Sequence, residues 1–175
     1  MQNRTPRIPQ QPAQNHRAEF DAGLTPELAA VVTGARRRAL RDGDRQIDTA
    51  HLLHSLIESD PEVRTAFDGG PQLARVLGYL VQRSIGYGLR WQGAVEGSGA
   101  VVADAGVEGW SPSATSAMAD AYRRARSTGC ERAGGVHLLA ALAADRGCRA
   151  VEVLERAGVD AALLGDRIAE APGRA

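Results

Sequence analysis

Residues 24–58, LTPELAAVVTGARRRALRDGDRQIDTAHLLHSLIE, and residues 110–144, WSPSATSAMADAYRRARSTGCERAGGVHLLAALAA, decide the fold, because the second stretch is the first displaced by 86 positions. The two align without a gap and share ten residues: Pro26/Pro112, Ala35/Ala121, Arg37/Arg123, Arg38/Arg124, Ala39/Ala125, Gly43/Gly129, His51/His137, Leu52/Leu138, Leu53/Leu139 and Leu56/Leu142. Squared residue frequencies give roughly three by chance in so Ala- and Arg-rich a chain, and chance does not keep helix starts and apolar stripes in phase. The chain is a tandem duplication.

Each copy carries the punctuation of helices. Thr25-Pro26 places a capping hydroxyl before a proline at the first helical position, and Leu28, Val31, Val32, Ala35 and Ala39 follow at helical spacing until Gly43. Asp48-Thr49 opens a second helix bearing His51, Leu52, Leu53, Leu56 and Ile57. Pro61 opens a short third through Phe67, and Gly69-Gly70-Pro71 precedes a fourth with Leu73, Val76, Leu77, Leu80 and Val81. Ser111-Pro112 restarts the code with Ala114, Ala117, Met118, Ala121 and Ala125, and helices near 149–156 and 161–169 complete the second copy. These signals predict an all-α fold: two four-helix units closing on each other about a pseudo-twofold axis, about eight helices in one globule. Small residues in the stripes let the helices approach closely.

Outside the copies the periodicity lapses. Residues 1–22 mix Gln, Asn, Pro and Arg with almost nothing to bury, which predicts a disordered tail. Glycines recur from Gly86 to Gly109, which predicts a long connecting loop with a short hairpin near 100–103. The expected organisation is a tail over 1–22, a first repeat over 24–85, a connector over 86–109 and a second repeat over 110–171.

Composition narrows the function. The 21 basic residues, all arginine, and 21 acidic residues cancel, which weighs against general nucleic-acid binding because phosphate neutralisation needs an excess of cations. Two Phe, two Trp and three Tyr build no base-stacking platform, and two cysteines build no disulfide framework. No apolar run reaches the ~20 residues a bilayer demands, and the first twenty residues lack the apolar centre of a signal peptide, so a cytoplasmic setting without membrane contact is expected.

The pattern Gly43-x-x-x-Ile47-x-Thr49-x-His51-Leu52-Leu53-x-x-Leu56, repeated as Gly129 to Leu142 with the His-Leu-Leu-x-x-Leu core kept, resembles the Clp N-terminal repeat. Such repeats stand as a tandem pair at the front of Hsp100-type unfoldases such as ClpA and ClpC, and Val153-Leu154-x-x-Ala157-Gly158-Val159 is similar to the segment that follows them. The resemblance spans about residues 24–170. It implies an all-α, non-catalytic docking platform for peptides, adaptors, substrates and some cyclic-peptide antibiotics. No G-x-x-x-x-G-K-[ST] phosphate loop appears, so a module without the family's ATPase is expected. The family places Glu before each motif histidine, where in ClpC-like proteins it helps bind phosphorylated arginine; here Ala50 and Val136 stand instead, and neither offers an acceptor to a guanidinium.

Candidate residues carry two readings each. His51 and His137 share one repeat position, as buried histidines bonded to neighbouring backbone or, less simply, as ligands. His51 and His54 lie one turn apart without the Cys, Asp or Glu that completes a zinc set, so no metal site and no cofactor is expected. Cys130 and Cys148 lack a local cation pattern that would mark a nucleophile, and Ser98 lacks the strand and helix of a nucleophile elbow. Arg36, Arg37, Arg38 and Arg41, with Arg123, Arg124 and Arg126, form strips that are either solvated faces with acidic neighbours or a dock for an acidic partner.

Leu24 and Trp110, repeat mates just before the cap, either staple the helix entrance or, with Phe20, Arg36 and its mate Tyr122, line an exposed apolar patch that receives peptides. The expected peptide-binding set is therefore Phe20, Leu24, Arg36, Trp110 and Tyr122, with no catalytic residue. The leading function is a peptide- or protein-binding module acting as adaptor, decoy or regulator of a Clp unfoldase, extending to sequestration of a cyclic peptide. A nucleic-acid-associated or regulatory protein using the arginine strips is the alternative.

Overall fold

The computed structural model describes residues 20–85, 95–97 and 109–171. Besides a helical turn at residues 20–22, the described residues form eight helices: α1 Pro26–Asp42, α2 Thr49–Ser59, α3 Pro61–Thr65, α4 Gly69–Ser84, α5 Pro112–Ser127, α6 Gly135–Ala144, α7 Arg149–Arg156 and α8 Ala161–Glu170.

Repeat mates start and stop by the same chemistry. Thr25 Oγ1 accepts from Leu28 N at 3.2 Å, and its mate Ser111 Oγ accepts from Ala114 N at 3.1 Å, each satisfying an otherwise orphaned first-turn donor. Both helices end on a glycine in the left-handed region, Gly43 at φ +73° and Gly129 at φ +77°. The next N–H in each copy reaches back over the turn, Asp44 to Ala39 O at 2.9 Å and Cys130 to Ala125 O at 2.8 Å.

The central helices α2 and α6 are buried nearly all round. Every residue of α2 from Thr49 to Ile57 is buried, as a helix apolar on all sides must be. Helix α1 packs on α2, α5 on α6, and α8 covers α6 from its other side. Leu28, Leu52, Leu53, Leu56, Leu138, Leu139 and Leu142 are fully enclosed, each stabilising the fold by roughly 1.5–3 kcal/mol. Where helices meet most closely the sequence has glycine. A Cβ on Gly34 of α1 would strike Ser55 Oγ of α2, and one on Gly135 of α6 would strike the Asp60 carboxylate and Val63 beside α3.

The copies are joined by an exchange. Leu24 pairs in parallel with Ala133, and Ile47 pairs with Trp110. In the first bridge Thr25 N donates to Ala133 O and Ala133 N to Gly23 O, both at 2.9 Å; in the second Ser111 N donates to Ile47 O and Ile47 N to Gly109 O, both at 2.8 Å. Adding 86 to each residue of the first repeat yields its counterpart in the second, so the two bridges are related by the pseudo-twofold axis. The segment entering α1 is thus held by the copy containing α6, and the segment entering α5 by the copy containing α2.

The helix expectations hold closely at both ends of each copy. The 1–22 tail needs correction: Phe20–Ala22 are helical and Phe20 packs on the core, because its ring finds two aromatic partners. The break before α4 lies at Asp68, with Gly69 (φ +78°) turning the chain into the helix. The hairpin expected near 100–103, the first nineteen residues and Ser98 lie outside the described residues. Among the described residues no helix is long and apolar enough to cross a membrane.

Candidate docking site at the seam between the copies

Three of the five expected binding residues meet, but not as a surface patch. The Phe20 ring stands edge-on to Trp110 (centroids 5.8 Å, 78°) and to Tyr122 (5.9 Å, 78°), and the Tyr122 hydroxyl donates to Phe20 O at 2.8 Å. Trp110 is only 4% exposed and Leu24 2%, so the exposed-patch reading of these two is corrected. The cause is the bridge exchange: hydrogen bonding the residues beside them to the other copy turns both side chains inward, into the core. Burial, with the nearby Asp21 charge, pushes the Tyr122 phenol up to about 12.

Arg36 lies elsewhere. It lines a groove of about 190 Å3 whose floor is Ala39, Leu40, Ile47 and Gly109, and whose rim carries Arg36, Asp44, Arg45 and Gln46. Leu40, 74% exposed, is the most exposed large apolar side chain among the described residues. The mate of this groove is closed. Tyr122 replaces Arg36 there, and its ring presses on Gly23, the mate of Gly109, so that a Cβ on Gly23 would sit 2.7 Å from the ring. Where the second copy fills this place with Tyr122 the first carries Arg36, and five further lining positions also differ between the copies: Leu40/Arg126, Asp44/Cys130, Arg45/Glu131, Gln46/Arg132 and Ile47/Ala133.

The arginine strips are partly neutralised. Arg38 pairs with Glu58, Arg41 with Asp42 at 3.7 Å, and Arg123 and Arg124 with Asp120 at 3.0 and 2.8 Å. Arg36, Arg37, Arg45 and Arg126 have no ion-pair partner among the described residues.

The histidines are structural. His51 Nδ1 accepts from Asp48 N at 3.1 Å and His137 Nδ1 from Gly134 N at 3.0 Å, one capping bond in both copies. This bond also bears on metal binding. Asp42, Asp44 and His51 gather their polar atoms within 4.8 Å, but an Nδ1 that accepts leaves the proton on Nε2, and Nε2 is the atom facing Asp44 at 3.0 Å. The imidazole therefore presents a donor rather than a lone pair. Cys148 is buried and its thiol is raised to about 11 by that burial, whereas Cys130 is exposed. Ala50 is fully buried, and Val136 is half-buried against the core.

Sequence reasoning missed Glu96. This connector residue is 5% exposed, and its carboxylate takes four donors: Thr49 N at 2.9 Å, Thr49 Oγ1, Ser111 Oγ at 2.8 Å and Arg149 N at 2.7 Å. It thereby caps α2 of one copy and α7 of the other. Helix α7 depends on that, since its own N-cap, Cys148, supplies no side-chain bond. Beside it Asp48 is held well below the usual carboxylate range: burial raises it, but hydrogen bonding to His51 and the charge of Arg83 outweigh that, and Arg149 binds it at 2.8 Å. Nothing local in the sequence separates Glu96 from Asp104 or Glu108 in the same glycine-rich stretch.

Eight helices in two copies that exchange their entry segments define an all-helical tandem-repeat domain. Residues 110–175 match the family described as the Clp repeat (R) N-terminal domain. Among solved structures, the chain is similar to the Hsp104 N-terminal domain from Candida albicans (TM-score 0.64, 12% identity, covering 87% of this chain and 93% of that one). It is similar also to the N-terminal domain of the caseinolytic protease-associated chaperone ClpD from Arabidopsis thaliana (TM-score 0.59, 21% identity, 85% and 93%). No curated protein sequence matches it. The second copy thus matches the Clp repeat model, and the two copies together have the fold seen in Clp N-terminal domains.

Proposed function

We propose that this chain is a non-catalytic docking module for a peptide or protein segment and that it acts as an adaptor, decoy or regulator of a Clp unfoldase. The observation that carries this reading is the groove of the first copy: an exposed Leu40 and arginines without an ion pair among the described residues, beside a seam whose mate is closed by Tyr122. Apolar surface flanked by arginine is the composition that dominates protein interfaces. The family fold supports the placement in the Clp system.

The test adds the purified chain in trans to a Clp unfoldase and its protease while following ATP-dependent degradation of a tagged substrate. The rate should change in proportion to the chain added, and Leu40→Asp, a change on an exposed position, should remove the effect while leaving the helical circular dichroism intact. An unchanged rate over a large molar excess of the wild-type chain would sink the reading.

A further inference from the structure

The groove of the first copy has a chemistry that names its occupant. At about 190 Å3 it lies below the roughly 300–1,000 Å3 of small-molecule sites, so it admits a side chain rather than a cofactor. Its floor is apolar: Ala39, Leu40 and Ile47. Its rim is cationic in effect, because Arg36 and Arg45 are unpaired among the described residues, whereas the single rim carboxylate, Asp44, pairs with Arg83 at 3.2 Å. An uncompensated pair of guanidiniums beside an apolar floor calls for a carboxylate next to an apolar side chain.

We infer that the open groove takes an acidic peptide segment, an aromatic or large aliphatic side chain on the Ala39/Leu40/Ile47 floor with its neighbouring carboxylate on Arg36 and Arg45. This deepens the docking reading above and rests on it.

The experiment follows fluorescence anisotropy of short fluorescein-labelled peptides on the full chain at low salt: Gly-Ser-Phe-Asp-Ala-Gly-Ser and the versions with Asn or Lys in place of Asp. The Asp peptide should bind about tenfold more tightly than the Lys peptide, the margin shrinking as salt screens it. Arg36→Glu should reverse the order, and Arg45→Glu, at an exposed position, should at least abolish the preference. Equal binding of all three peptides overturns the inference and leaves docking standing. Binding of none overturns both. A preference that survives Arg36→Glu and Arg45→Glu together places the acidic peptide elsewhere and also overturns the inference.

Discussion

His54 makes the stability of this domain pH-dependent in a window that can be worked from its surroundings. The ring lies on α2, 5% exposed, with Arg38 and Asp42 facing it from α1 and Glu58 from its own helix, Glu58 Oε1 at 3.2 Å from Nε2. Burial and the Arg38 charge lower its pKa from 6.5 to about 4, against the opposing pull of Glu58 and Asp42. The unfolded chain therefore binds a proton near pH 6.5 that the folded chain refuses until about pH 4, and stability falls as pH falls through that window. At 1.36 kcal/mol per pH unit the full effect is about 3 kcal/mol, of which about 2 kcal/mol is lost between pH 7 and pH 5. His137, also lowered chiefly by burial, acts in the same direction, whereas Asp48 contributes only below the ordinary carboxylate range. Urea unfolding followed by circular dichroism at pH 7 and pH 5 measures the loss. In His54→Gln the titrating group is gone and the loss should shrink by about 2 kcal/mol. If His54→Gln loses as much as the wild type, His54 does not carry the acid sensitivity and the reasoning fails.

Substitutions at four further positions test the packing. Trp110→Ala should lower the free energy of unfolding by about 3–5 kcal/mol, as removal of an enclosed aromatic does, so a lost urea midpoint is expected and a shift below 1 kcal/mol is not. Gly135→Ala drives a methyl into Asp60 and Val63 and should cost about 1–3 kcal/mol, whereas Gly78→Ala, with nothing within 4 Å of the new methyl, should gain about 0.5–1 kcal/mol in the same thermal melts. Glu96→Ala strips four donors of their acceptor and should cost about 3 kcal/mol or more, with Glu96→Gln milder because one oxygen remains; calorimetry that found the two equal and small would show that the connector does not fasten α2 to α7.

The duplication, the helix boundaries and the inward stripes were legible from the chain alone. They follow from short-range rules: a capping oxygen with Pro26 or Pro112 behind it, a glycine at 43 or 129 where the backbone turns left-handed, and leucines spaced for one face. The capping histidines were readable for the same reason, since His51 and His137 reach only three residues back. What the chain by itself left open were contacts between residues far apart along it. Whether Leu24 and Trp110 face water depends on hydrogen bonds to residues 133 and 47, which no local pattern encodes, and tertiary pairing turned both inward. Glu96 is one acid among several in a glycine-rich stretch until two helix N-termini converge on it. Arg36 and Tyr122 are equivalent in the repeat register, yet only the packed copies show that one leaves a groove and the other fills it. Local chemistry determined the elements; the exchange of entry segments between two similar units decided which of their residues remain available to a partner.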